Sequence, residues 1–99
     1  MATLKALLES PDKSVRLQAA LAAGTYPEDT YIEVLVTQCA HEPDFFVRDT
    51  LSWALMRHDI GKVVERLKSE LNSENSQAKS QAIHTLSKIG DKKYYSLIT

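Results

Sequence analysis

Three stretches of this chain carry apolar residues at positions 0, +4 and +8 of a helix: Val15, Ala19 and Ala23; Val47, Leu51 and Leu55; Ala78, Ala82 and Leu86. Asp12, Asp44, and Asn75 or Ser76 stand just before them. These are good N-cap types, because their side-chain oxygens accept from the unpaired N–H groups of a first helical turn. Pro11 and Pro43 precede the two aspartates and stop any earlier helix. The register positions Val15, Val47 and Ala78 lie 32 and 31 residues apart, so the pattern is an internal repeat. Between the copies runs a second set of helical stripes: Leu4, Leu7, Leu8; Ile32, Leu35, Val36, Cys39; Ile60, Val63, Val64, Leu67, Leu71; and Tyr94, Leu97, Ile98. We call the second set A helices and the capped set B helices.

Gly24 and Gly90 are expected to be C-caps, and Pro27 with Glu28 and Asp29 opens the next element. No run alternates at period two for long enough to make a strand, and the connections are of hairpin length. The prediction is a single all-α domain over residues 1–99, with approximate repeats 1–25, 28–58 and 60–90 and a partial terminal helix over 91–99. Helix pairs stacked at a constant period bury a continuous core between neighbours, which makes a short curved solenoid with a concave and a convex face.

The Asp-x-x-Val-Arg core, read at Asp12 to Arg16 and Asp44 to Arg48, resembles the HEAT repeat. The short period is similar to the bilin-lyase type of HEAT-like repeat. Leu86-Ser87-Lys88-Ile89-Gly90-Asp91 is similar to the family's Leu-Gly-x-Ile-Gly-Asp. The third copy departs from the pattern, with Asn75 and Lys79 in place of Asp and Arg. The resemblance implies a right-handed α-solenoid whose B helices line the concave side. It also implies that Asp12, Arg16, Asp44, Arg48 and Lys79 form a structural ladder, with aspartates capping and cations binding neighbouring carboxylates or carbonyls.

Composition changes the picture in one respect. Twelve Lys plus Arg against thirteen Asp plus Glu give a net charge of -1, which disfavours a non-specific nucleic-acid binder. One Cys excludes an internal disulfide, and no apolar stretch approaches the roughly 18 residues of a membrane span. The opening residues show no signal-peptide pattern, so the expected location is cytoplasmic.

Candidate chemistry is sparse. Cys39, His41 and His58 lack zinc-ligand spacing, and Cys39 sits on an apolar stripe and is expected in the core. His41-Glu42 precedes Pro43 and reads as a helix end. The three glycines are scattered and make no phosphate loop. Neither a metal nor a cofactor is expected. Phe46 is expected between repeats and Phe45 at a groove rim, while Tyr94 and Tyr95 are expected to pack the terminal turn.

The face opposite the core stripe is the informative one. Positions +2, +6 and +9 of the B helices hold Leu17, Leu21 and Gly24; Asp49, Trp53 and Met56; and Ser80, His84 and Ser87. A Trp, a Met and two Leu on the face that should be wet mark a binding surface, lateral packing of Trp53 on Leu17 or Leu21, or a dimer contact. The sequence reading is a non-enzymatic scaffold that binds a protein or peptide along this face. Trp53 serves as anchor, Leu17, Leu21 and Met56 as apolar floor, and Asp49, Arg57 and His84 as polar selectors. A carboxylate one turn from an aromatic suits a cation, so the expected partner is basic. The alternative is an enzyme or enzyme subunit resembling the HEAT-like alkylpurine DNA glycosylases or the bilin lyases. The solenoid ends are expected to offer apolar surfaces for self-association.

Overall fold

The computed structural model describes the backbone of residues 3–98 and the side chains of residues 3–90. Six helices follow in order: α1 (Leu4–Leu8), α2 (Lys13–Thr25), α3 (Asp29–Cys39), α4 (Phe45–Met56), α5 (Ile60–Glu70) and α6 (Ser76–Ile98). There is no strand among the described residues. The odd-numbered helices are the A set and the even-numbered ones the B set.

Local chemistry starts each B helix as the sequence requires. The Asp12 carboxylate accepts from the Ser14 N–H at 2.8 Å, Asp44 from Val47 at 3.0 Å, and the Asn75 side-chain oxygen from Ala78 at 3.0 Å. Asp59 does the same for α5, and Thr3 for α1. Each cap satisfies a donor that a helix start would otherwise leave unpaired.

Packing then sorts the helices into two layers. α2, α4 and α6 lie side by side, as do α1, α3 and α5, and each A helix packs on the B helix that follows it. The result is a short α-solenoid of three helix pairs. Its core is continuous through the stack, from Leu8, Ala19 and Ala23 through Leu35, Val47, Leu51 and Leu55 to Val63, Leu67 and Ala82. Burying a Leu or Val side chain contributes about 1.5–3 kcal/mol, so this seam, with no single pair in it, holds the layers together. Val15 and Leu86, read as core stripe, are only partly buried.

Two expected caps are absent. Gly24 lies inside α2, which is capped by Tyr26, and Gly90 lies inside the uninterrupted α6. A glycine costs a helix only about 1 kcal/mol and ends it when the chain must turn into a left-handed conformation. No described glycine has a positive φ, and no proline follows Gly90. The expected break before a separate helix over 91–99 is therefore not present in the backbone. The expected packing of Tyr94 and Tyr95 lies outside the described side chains.

No helix among the described residues is long and apolar enough to cross a membrane. Nor do the described residues contain a group of three or more His, Cys, Asp or Glu that could hold a metal ion.

Candidate functional site

The B-helix face is held in place by a residue that the sequence pattern passes over. Glu42, in the loop between α3 and α4, is fully buried. Its two carboxylate oxygens accept from Arg16 Nε at 2.9 Å and Nη2 at 3.1 Å, a bidentate fork. Gln38 Nε2 at 3.0 Å and the Asp44 N–H at 3.0 Å complete the carboxylate's shell. The Glu42 carbonyl accepts from Arg48 Nη1 at 2.8 Å and from Gln77 Nε2 at 2.8 Å. One residue thus ties α2, α3, α4 and α6 together. His41 beside it is exposed.

The ladder residues divide accordingly. Asp12 and Asp44 cap, Arg16 takes a carboxylate, and Arg48 takes a carbonyl. Lys79 is exposed and makes no ion pair with a described residue. Neither arginine bonds the aspartate of its own cap: both reach Glu42, in the loop before α4, and Arg16 Nη1 also donates to the Ser10 carbonyl at 2.9 Å. Burial alone would push the Glu42 carboxyl up, but the hydrogen bonds from Arg16, Asp44 and Gln38, with the Arg16 charge, hold it below the ordinary carboxylate value.

With the inner side of α4 fixed, its outer arc carries large apolar groups. Phe45 is 65% exposed, Phe46 70% and Trp53 40%. At 100° per residue these three lie within about 100° of one another, on the side away from Val47 and Leu51. Phe46 therefore does not fill the space between repeats, as its place near the helix start suggested; it faces outward, edge-on to Phe45 with ring centroids 5.9 Å apart.

Trp53 is part packing and part surface. One side of its ring lies on Gly24 of α2, where a Cβ would stand 2.3 Å from Trp53 Cζ3. Arg57, one turn on, donates from Nε to the Gly24 carbonyl at 3.1 Å. The remaining expected face residues separate into two groups. Leu21, Asp49, Arg57 and His84 are exposed, whereas Leu17 and Met56 are partly buried against the core and so are not an open floor.

Asp49 already carries an exposed ion pair with a cation of its own chain. Lys88 Nζ donates to its Oδ1 at 2.8 Å, and His84 Nε2 stands 3.8 Å away. The Lys88 hydrogen bond and charge hold the Asp49 carboxyl below the usual carboxylate range. The carboxylate and aromatic pair from which a basic partner was expected is thus already satisfied within the chain.

Between α4 and α6 this face opens into a cleft of about 360 Å³, lined by Phe45, Arg48, Asp49, Gln77, Ser80, Gln81 and His84. Gln81 Nε2 donates to Ser52 Oγ at 2.6 Å, and Ser52 and Thr85, both fully buried, share a hydrogen bond of 2.8 Å. This interior polar seam fixes the cleft's floor. Sequence reasoning missed Phe46, Arg48 and the two glutamines as face residues.

A family model for HEAT repeats matches residues 1–56, more than half of the chain. The chain belongs to the HEAT-repeat family. No curated protein and no solved structure matches it. HEAT repeats generally mediate protein interactions. In this HEAT-repeat chain the matched part ends at Met56, the last residue of α4. The third helix pair, where Asn75 and Lys79 replace the repeat's Asp and Arg, lies beyond it.

Proposed function

We propose that this HEAT-repeat domain is a non-enzymatic scaffold that holds a protein or peptide segment on its B-helix face. The observation that carries the reading is the outer arc of α4. Phe45, Phe46 and Trp53 are exposed together beside the 360 Å³ cleft. Aromatic side chains left in water on one rigid helix are the type most often found as anchors at interfaces. Their scaffold is preorganised by the Glu42 hub, so little ordering cost falls on binding. Trp53 acts as a half-seated anchor with its free edge toward the partner, and Leu21 extends the apolar strip along α2.

The test is a displayed library of random linear peptides selected on the folded chain. Phe46→Ala removes an exposed ring and leaves the melting temperature unchanged, yet it lowers binding of the selected peptides more than about tenfold, the loss of one anchor. Selected peptides that bind Phe46→Ala and Phe45→Ala as well as the parent chain overturn the reading.

A further inference from the structure

Beyond the peptide-binding face, we infer that copies of this chain associate head to tail, the side of α6 away from α4 in one copy docking on the side of α2 away from α4 in the next. The internal repeat shows both halves of the contact. Counted from Val15, Val47 and Ala78 as zero, position +5 holds Ala20, Ser52 and Ile83, and position +7 holds Ala22, Ala54 and Thr85. Within the stack +5 faces the following B helix and +7 the preceding one: Ser52 Oγ of α4 and Thr85 Oγ1 of α6 are 2.8 Å apart. Ala20 and Ala54 hold the same two positions on α2 and α4, and all four residues are fully buried.

The remaining members of the two series are Ile83 and Ala22. Ile83 is 51% exposed on α6, and Ala22 is exposed on α2. Both are apolar, and together they make one further +5 to +7 contact, which a second copy supplies and which removes both from water. The polar groups around them fall in the same register. At +3, Gln81 donates from Nε2 to Ser52 Oγ at 2.6 Å and to the carbonyl of Arg48, the +1 residue of the preceding B helix, at 3.3 Å. Gln18 is the same residue at +3 of α2 and is exposed, so in a stacked pair it reaches the Lys79 carbonyl of the other copy. At +1, Arg16 crosses to Glu42 in the loop before the next B helix. Lys79 holds +1 on α6, and the loop before α2 carries the exposed Glu9 within one residue of the register of Glu42.

The two sides thus match in apolar surface, hydrogen bonding and charge, and they continue the interfaces that already join α2 to α4 and α4 to α6. That continuity selects a second copy as the occupant, because the same chain carries both halves in register. The halves are different patches, so the contact has no two-fold symmetry and adds copies in series.

The experiment is sedimentation of the full chain over a concentration series reaching about 1 mM, where a weak contact is populated. The mean mass climbs with concentration and passes that of a dimer. Ile83→Glu and Ala22→Glu, each at an exposed position and with folding checked by circular dichroism, weaken association more than about tenfold, since each puts an unpaired carboxylate into the contact. Mixing the two variants restores association but stops it at a dimer. The Ala22→Glu copy keeps an intact α6 side and the Ile83→Glu copy an intact α2 side, so one pairing remains. A chain that stays monomeric throughout overturns the inference, as does a mixture that associates no better than either variant alone. Association that is lost on Phe46→Ala and survives both end variants overturns it in favour of pairing through the aromatic face.

Discussion

The Trp53 ring occupies the space that a side chain at Gly24 would need: an added Cβ would lie 2.3 Å from Cζ3 and 2.9 Å from both Cε3 and Cη2. The contact joins two B helices across a repeat boundary, and it explains a glycine in a helix interior where alanine is favoured by about 1 kcal/mol. Gly24→Ala must therefore push the ring outward. Trp53 is the sole tryptophan, so its emission shifts to the red, acrylamide quenching rises, and stability falls by about 1 kcal/mol as overpacking outweighs helix propensity. In a Trp53→Ala background the same substitution becomes stabilising. A Gly24→Ala effect of the same sign in both backgrounds shows that the ring does not sit there.

Arg16 and Glu42 form a buried pair whose side chains are 11% and 0% exposed. Glu42→Ala leaves the guanidinium without its carboxylate and frees the Arg48 and Gln77 arms with the loop. The expected cost is about 3–5 kcal/mol, read as a lower urea midpoint at constant slope. A loss under about 1 kcal/mol refutes the hub.

The same carboxylate sets a pH dependence. Its folded value is held below the ordinary 4.5, so its contribution is complete above that value and is lost as pH falls through the lower, folded one. Asp44, Asp49 and Glu33 are shifted the same way by the Val47 N–H, Lys88 and Arg66 respectively. Unfolding by acid therefore begins below about pH 4.5 and steepens on further acidification. Glu42→Gln flattens that profile without abolishing it. An unchanged acid limb in the variant contradicts the assignment.

Much of the scaffold is readable from local rules, and the misreadings share one cause. The caps at Asp12, Asp44 and Asn75 and the stripe Val47, Leu51, Leu55 are decided within a few residues, so spacing suffices. Glu42 reads as a helix end because its partner Arg16 is 26 residues back, and nothing local marks a glutamate that will be buried. Gly24 reads as a cap by the same local rule, while the contact that requires it comes from the next repeat. Asp49 beside Trp53 reads as a cation site until Lys88, 39 residues on, is seen to occupy it. The face is legible in the sequence as a departure from amphipathicity.

Cys39 is buried in the core, and burial, with the negative charges of Glu42 and Glu70, pushes its thiol up to about 12. The thiolate is the reactive species, so the folded chain stays silent toward an aromatic disulfide reagent even at pH 9, close to the ordinary value of 9.0, where the unfolded thiol is about half ionised. Reaction proceeds only through opening and runs at least about a hundredfold slower than in urea. Rapid labelling of the folded chain at pH 9 places Cys39 outside the core.

His58 closes the second repeat by bonding at both ring nitrogens. Nε2 accepts from the Glu28 N–H at 3.3 Å, so the proton resides on Nδ1, which donates to the Ala54 carbonyl at 2.7 Å. The ring thereby links the N-cap of α3 to the last turn of α4, with Tyr31 edge-on at 6.2 Å. A neutral imidazole of this tautomer is expected in the nitrogen NMR spectrum, with a pyridine-type Nε2 and a pyrrole-type Nδ1. His58→Phe fills a similar volume but leaves the part-buried Glu28 N–H without its partner and the Ala54 carbonyl with the Arg57 N–H alone, and costs about 1–3 kcal/mol. A variant as stable as the parent chain, or an Nε2-protonated ring in the parent, removes His58 from the set of residues that fix the repeat.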